Sequence, residues 1–135
     1  MRKIILCALC ALPFASCHES LEERAAHEAE EFTRKNCPVR ISEFIVNDSM
    51  GYDKRTRTIR YFYTVSGMAD TPAINNQQAK DELVKGVREA TSLRVYKEHS
   101  FNFAYTYYSS KNKGKKLIDV TVTPEDYEDR DKGKK

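Results

Sequence analysis

Polar and apolar positions change their period several times along the chain, and each change marks an element. Residues 18–35 are rich in Glu and Ala, with apolar positions at Leu21, Ala25, Ala29 and Phe32. That spacing predicts a helix with a thin apolar stripe, which lies on a larger surface. Its acids precede Arg34 and Lys35, the order that suits the helix dipole. Residues 39–46 are apolar and β-branched and predict a first strand; residues 47–54, with Met50-Gly51, predict a turn region. Residues 57–66 form the clearest strand, in which Ile59, Tyr61, Tyr63 and Val65 alternate with Thr58, Arg60, Phe62 and Thr64. Thr71-Pro72 predicts the cap and first residue of a second helix running through Leu83, Val87 and Ala90. A bend at Thr91-Ser92 precedes Leu93, Val95 and Tyr96. Phe101, Phe103, Tyr105 and Tyr107 then alternate with Asn102, Ala104 and Thr106 as another strand. Residues 109–115 are a polar loop, residues 117–123 a last strand, and Pro124 stops it. The mixed charges of residues 124–135 predict a disordered tail.

The predicted order is α-β-β-α-β-β, an α+β fold with helices packed on one face of a four-stranded, largely antiparallel sheet. Tyr61, Tyr63, Phe101, Phe103, Tyr105, Val120 and Val122 are expected in the helix–sheet interface. Residues 27–123 form the single α+β domain of this reading.

The first seventeen residues follow a different pattern. Met1-Arg2-Lys3 is positive, residues 4–12 carry no charge, and Pro13-Phe14-Ala15-Ser16 leads with small residues to Cys17. This is the layout of a secretory signal peptide, residues 1–16, and it is too short for a spanning helix. Ala15-Ser16-Cys17 resembles a bacterial lipobox, with Phe14 where that pattern prefers Leu, Val or Ile. The resemblance implies lipid on Cys17 and residues 17–26 as the lipidated N-terminus and start of the helix. Ordinary cleavage near Ala15 would instead leave a soluble exported protein.

Composition changes meaning once the signal is set aside. The 135 residues carry 23 Lys and Arg against 20 Asp and Glu, a net charge of +3. Removing Arg2 and Lys3 leaves 21 basic residues against the same 20 acids, so the exported chain is nearly neutral. That excludes a strongly basic nucleic-acid binder on bulk charge. Cys7 and Cys10 leave with the signal, so Cys37 remains a single thiol in an oxidising compartment, with burial its expected role.

Candidate chemistry is sparse. His18-Glu19 and His27-Glu28 each have Glu, not His, at the fourth position (Glu22, Glu31), so neither makes an H-E-x-x-H zinc site. There is no G-x-S-x-G elbow, P-loop or dinucleotide-binding glycine pattern. No catalytic residue, metal site or cofactor is therefore expected. Two basic loops, around Lys54, Arg55 and Arg57 and around Lys111, Lys113 and Lys115, are placed by the predicted topology at opposite ends of the sheet. They make no joint patch for nucleic acid.

The sheet face away from the helices is the candidate site. By alternation it carries Arg60, Phe62 and Thr64, then Thr106 and Tyr108, then Asp119 and Thr121. Arg beside aromatic residues is the composition of interaction hot spots. Arg60, Phe62, Thr64, Tyr108 and Asp119 are the candidate partner-binding residues, for a protein, a glycan or a second copy of the chain.

With the lipobox, Asn36-Cys37-Pro38-Val39, Tyr61-Phe62-Tyr63-Thr64 and Phe101-Asn102-Phe103-Ala104-Tyr105, the chain resembles small exported lipoproteins of uncharacterised function from Bacteroidetes-like bacteria. That resemblance implies a fold similar to cystatin-like or β-lactamase-inhibitor-protein-like domains, and brings no catalytic residues. His18 after Cys17 looks like the outer-membrane sorting pattern, facing periplasm or cell surface. The functional expectation is a lipid-anchored, non-catalytic binding module of the cell envelope. A small envelope hydrolase or carbohydrate-modifying enzyme and a structural subunit of an envelope assembly are the alternatives.

Overall fold

The computed structural model describes residues 19–128, so the signal segment, Cys17, His18 and residues 129–135 lie outside the described residues. Ser20 opens α1 (Leu21–Asn36): its side chain accepts a hydrogen bond from the Glu23 N–H, Glu22 and Glu23 occupy the first turn, and Arg34 and Lys35 the last. Ala25 and Ala29 are its buried residues, small enough for the helix backbone to approach the sheet. Thr33 Oγ1 both donates to the Met50 carbonyl (3.0 Å) and accepts from the Met50 N–H (2.8 Å), which fixes the helix on its strand.

The sheet has five strands in the order β1-β2-β3-β4-β5: β1 (Val39–Ser42), β2 (Ile45–Asp53), β3 (Thr58–Val65), β4 (Asn102–Ser109) and β5 (Lys116–Val122). Neighbours are antiparallel except β3 and β4, which are parallel. The α+β class and the helix-covered sheet agree with the sequence reading; the strand count is corrected from four to five. The expected first strand is split by a turn at Glu43-Phe44, and residues 45–53 form β2 where a turn region was expected. Their polarity disguises the strand. Asn47 is buried and donates through Nδ2 to the carbonyls of Ser49 and Phe62, supporting an irregularity in register between Asn47 and Ser49.

The second helix is also corrected. Thr71 Oγ1 accepts from the Ala73 N–H, but α2 (Asn76–Glu89) begins only after Asn75, whose side chain accepts from the N–H groups of Gln77 and Gln78. A single 3-10 turn (Thr91–Leu93) and α3 (Arg94–Glu98) follow, at the bend expected there. The stretch after β5 is not all tail: Pro124–Tyr127 forms α4, closed by reciprocal bonds between Thr123 and Asp126. Tyr127 is buried, its hydroxyl donating to the Phe101 carbonyl at 2.8 Å.

The core lies at one end of the helix-covered face. Ile59, Phe103 and Val122 on the sheet meet Ala25, Val87, Tyr96, Phe101 and Tyr127. Tyr61, Tyr105 and Val120 pack against or within this cluster, as expected, while Tyr63 stands outside it. At the same end Arg57 stacks over the Phe101 ring (4.5 Å) and pairs with Glu22 (3.3 Å). The β2–β3 loop is thereby tied to the first turn of α1. The loops at residues 54–57 and 110–115 lie at opposite ends of β3 and β4, as the predicted topology requires.

Candidate functional site: an apolar groove floored by tyrosines

All four helices pack on one face, and they leave its middle uncovered. α1 lies along β2 and α2 along β5, so the inner strands β3 and β4 present their helix-side residues to the space between. Those residues are Tyr61 and Tyr63 on β3, opposite Tyr105 and Tyr107 on β4. The parallel register places like beside like. Tyr61 and Tyr105 stack with ring centroids 4.9 Å apart, Tyr63 and Tyr107 at 4.4 Å. Burial raises all four phenols, Tyr61 to about 12 with help from the Glu28 charge. They stay protonated at neutral pH. Among the described residues none of these four hydroxyls has a hydrogen-bond partner, so each can serve an incoming group.

Two pockets flank the ladder. One, of about 380 Å³, is lined by Phe32 of α1, Ile41, Met50, Tyr61, Tyr63 and Leu93. The other, of about 470 Å³, is lined by Ile45, Val65, Ile74, Leu83, Tyr107 and Ile118, with Ala69 and Thr71 in its wall. Since Tyr63 belongs to the first and its stacked partner Tyr107 to the second, the two share the tyrosine floor. Three large hydrophobic residues stand exposed among the described residues: Met68 (83%), Ile41 (57%) and Val39 (36%). Ile41 lines the first pocket, and Met68 adjoins Ala69 of the second.

Carboxylates are few in this groove. Burial pushes Glu28 up, but hydrogen bonds from Arg24 (2.7 Å) and the Tyr96 hydroxyl (2.8 Å) outweigh it and hold it below the usual range. Glu82 stands exposed on the α2 wall. Among the described residues no group of three or more His, Cys, Asp or Glu could hold a metal ion.

The five sequence-derived candidates all fall together on the opposite face. Arg60 Nη2 lies 3.7 Å from Asp53 Oδ2. The Phe62 ring lies over Gly51, where an added Cβ would be 4.0 Å from it. Thr64 Oγ1 donates to Asp48 Oδ2 (2.6 Å), and Tyr108 stands beside Thr64 in register. Asp119 accepts from Thr106 Oγ1 (3.2 Å) and from Lys116 Nζ (3.4 Å). Phe62 and Tyr108 are partly buried among their own neighbours, whereas the exposed side chain of Ile41 lines the first pocket of the groove. Cys37 is half-buried, its thiol 3.7 Å from Asn47 Oδ1 and raised by desolvation and by Asp48.

Sequence comparison assigns residues 20–118 to the domain of unknown function DUF8479. The chain belongs to the DUF8479 family. Comparison with curated protein sequences finds no match. Among solved structures, this DUF8479 domain is similar to the pilotin EpsS of the Vibrio vulnificus type 2 secretion system. The TM-score is 0.64 at 16% identity, over 81% of this chain and 93% of the pilotin. It is similar also to a candidate secreted protein from Pseudomonas aeruginosa, with TM-score 0.64 at 13% identity, over 82% of this chain and 100% of the other. At these identities the likeness is one of fold.

Sequence reasoning missed the groove because it placed Tyr61, Tyr63 and Tyr105 in a closed helix–sheet interface. A usable signal was present: the α1 stripe has little beyond Ala25 and Ala29, too small to cover a face carrying four tyrosines.

Proposed function

We propose that the protein is a non-catalytic binding module of the bacterial cell envelope, anchored by lipid on Cys17, that receives an apolar segment of a partner protein in the groove between α1 and α2. The observation that carries this reading is the pair of apolar pockets that share a floor of stacked tyrosines, with the exposed Ile41 in the lining of one of them. Apolar pockets with a few unpaired hydroxyls suit a segment with an apolar face and some polar groups. The fold shared with a secretion-system pilotin and with a candidate secreted protein supports an envelope role.

Geometry makes anchoring and docking compatible. Cys17 precedes the start of α1 by four residues, and the first turn of α1 is tied to the β2–β3 loop through Glu22 and Arg57. The larger pocket lies at the other end of β3, beside Val65, roughly 25 Å away at the rise of an extended strand. The larger pocket thus lies at the end of the sheet far from the first turn of α1.

The test is photo-crosslinking in producing cells, with a crosslinking amino acid placed in turn at Ile41, Met68, Phe62 and Tyr108. The expected result is one shared adduct from Ile41 and Met68. Adducts confined to Phe62 and Tyr108 would return the docking surface to the opposite face.

A further inference from the structure

The larger pocket has one wall that belongs to no α-helix or strand. Ala69, Thr71 and Ile74 come from the segment joining β3 to α2, and Asp70 sits in its middle. Asp70 is only 8% exposed and turns its carboxylate away from the pocket. Its Oδ2 accepts three hydrogen bonds from the β4–β5 connection: from Ser109 Oγ (2.9 Å), Ser110 Oγ (3.3 Å) and the Lys111 N–H (2.9 Å). Ser109 Oγ in turn accepts from the Asn112 N–H at 3.0 Å, so the anchoring hydroxyl is itself held. The start of the segment is equally fixed. The Ser66 N–H bonds to the Phe44 carbonyl at 2.8 Å. Gly67 adopts φ +59°, where a Cβ would come within 2.7 Å of the Phe44 ring.

We infer that Asp70 is the positioning residue of the groove: by binding the β4–β5 connection it holds the Ala69–Ile74 wall against Tyr107 and sets the width of the larger pocket. Beyond Gly67 and Ser66, the short 3-10 turn (Gly67–Ala69) makes few bonds of its own. The three Asp70 bonds are the main tie between this wall and the sheet. Hydrogen bonds to a carboxylate are among the stronger ones, so their loss lets the wall move.

The inference rests on the groove reading, and the experiment separates the two. The probe is N-phenyl-1-naphthylamine, a neutral apolar dye, titrated by fluorescence into the wild-type chain, Asp70→Ala, Asp70→Asn and the double variant Ser109→Ala/Ser110→Ala. Each is first checked for folding by circular dichroism. Wild type is expected to bind the dye, and Asp70→Ala to bind it about tenfold more weakly, the scale of one charge-assisted hydrogen bond. Asp70→Asn should fall between wild type and Asp70→Ala, because an amide oxygen accepts from the same donors without the charge. Folded Asp70→Ala that binds as wild type does, or Asp70→Asn as weak as Asp70→Ala, overturns the inference and leaves the groove standing. If Asp70→Ala does not fold, the serine double variant decides: weakened binding supports the inference and unchanged binding overturns it. A wild-type chain that takes up no dye overturns the groove itself, and the inference with it.

Discussion

Tyr63 and Tyr107 stand side by side on parallel strands, their stacked rings 12° from parallel. Stacking of this kind contributes about 1 kcal/mol beyond the area buried. A double-mutant cycle of Tyr63→Leu and Tyr107→Leu, read by urea unfolding, should therefore show a coupling of about 1 kcal/mol. Strictly additive single variants would show that the rings do not help each other. At this scale the chain hides its most consequential residues among ordinary ones. Asn47 looks like a turn residue and is a buried strut of β2. Asp70 looks like part of a strand break and ties two connections together. Both are polar residues whose partners lie 15 and about 40 positions away, and local sequence carries no mark of such pairing.

α1 is held to the sheet by little apolar surface, so Thr33 carries unusual weight among its contacts. Thr33→Val should cost about 1–3 kcal/mol by urea denaturation, because it removes the partner of both the Met50 N–H and the Met50 carbonyl. The elements themselves were readable where one period dominates. β3 and β4 alternate cleanly because one face is helix-covered. α1 announces itself through its charges and its stripe. β2 was not readable, because Asn47, Asp48, Ser49 and Gly51 have poor strand propensity and are held by pairing with β3. The start of α2 shifted for a related reason. Asn75 lies four residues beyond the expected cap, and its carboxamide engages two helix N–H groups where Thr71 engages one nearby.

For the whole molecule, the proposed lipid on Cys17 would set where the groove is presented. Cys17→Ala should move the protein from the membrane fraction to the soluble fraction after alkaline carbonate extraction, since acyl chains supply the durable attachment. A variant still sedimenting with membrane would refute lipidation at that residue. No helix among the described residues is long and apolar enough to cross a membrane. By itself the sequence determined the α+β class, the alternation of the two inner strands, the residues sharing the open sheet face and the placement of the two basic loops. Each follows from short-range periodicity, which an element must obey whatever it packs against. Only the tertiary structure decided the fifth strand, the Asp70 tie and the groove. A groove is a gap between elements: its existence depends on how far α1 and α2 stand apart over β3 and β4, a distance that no local pattern encodes.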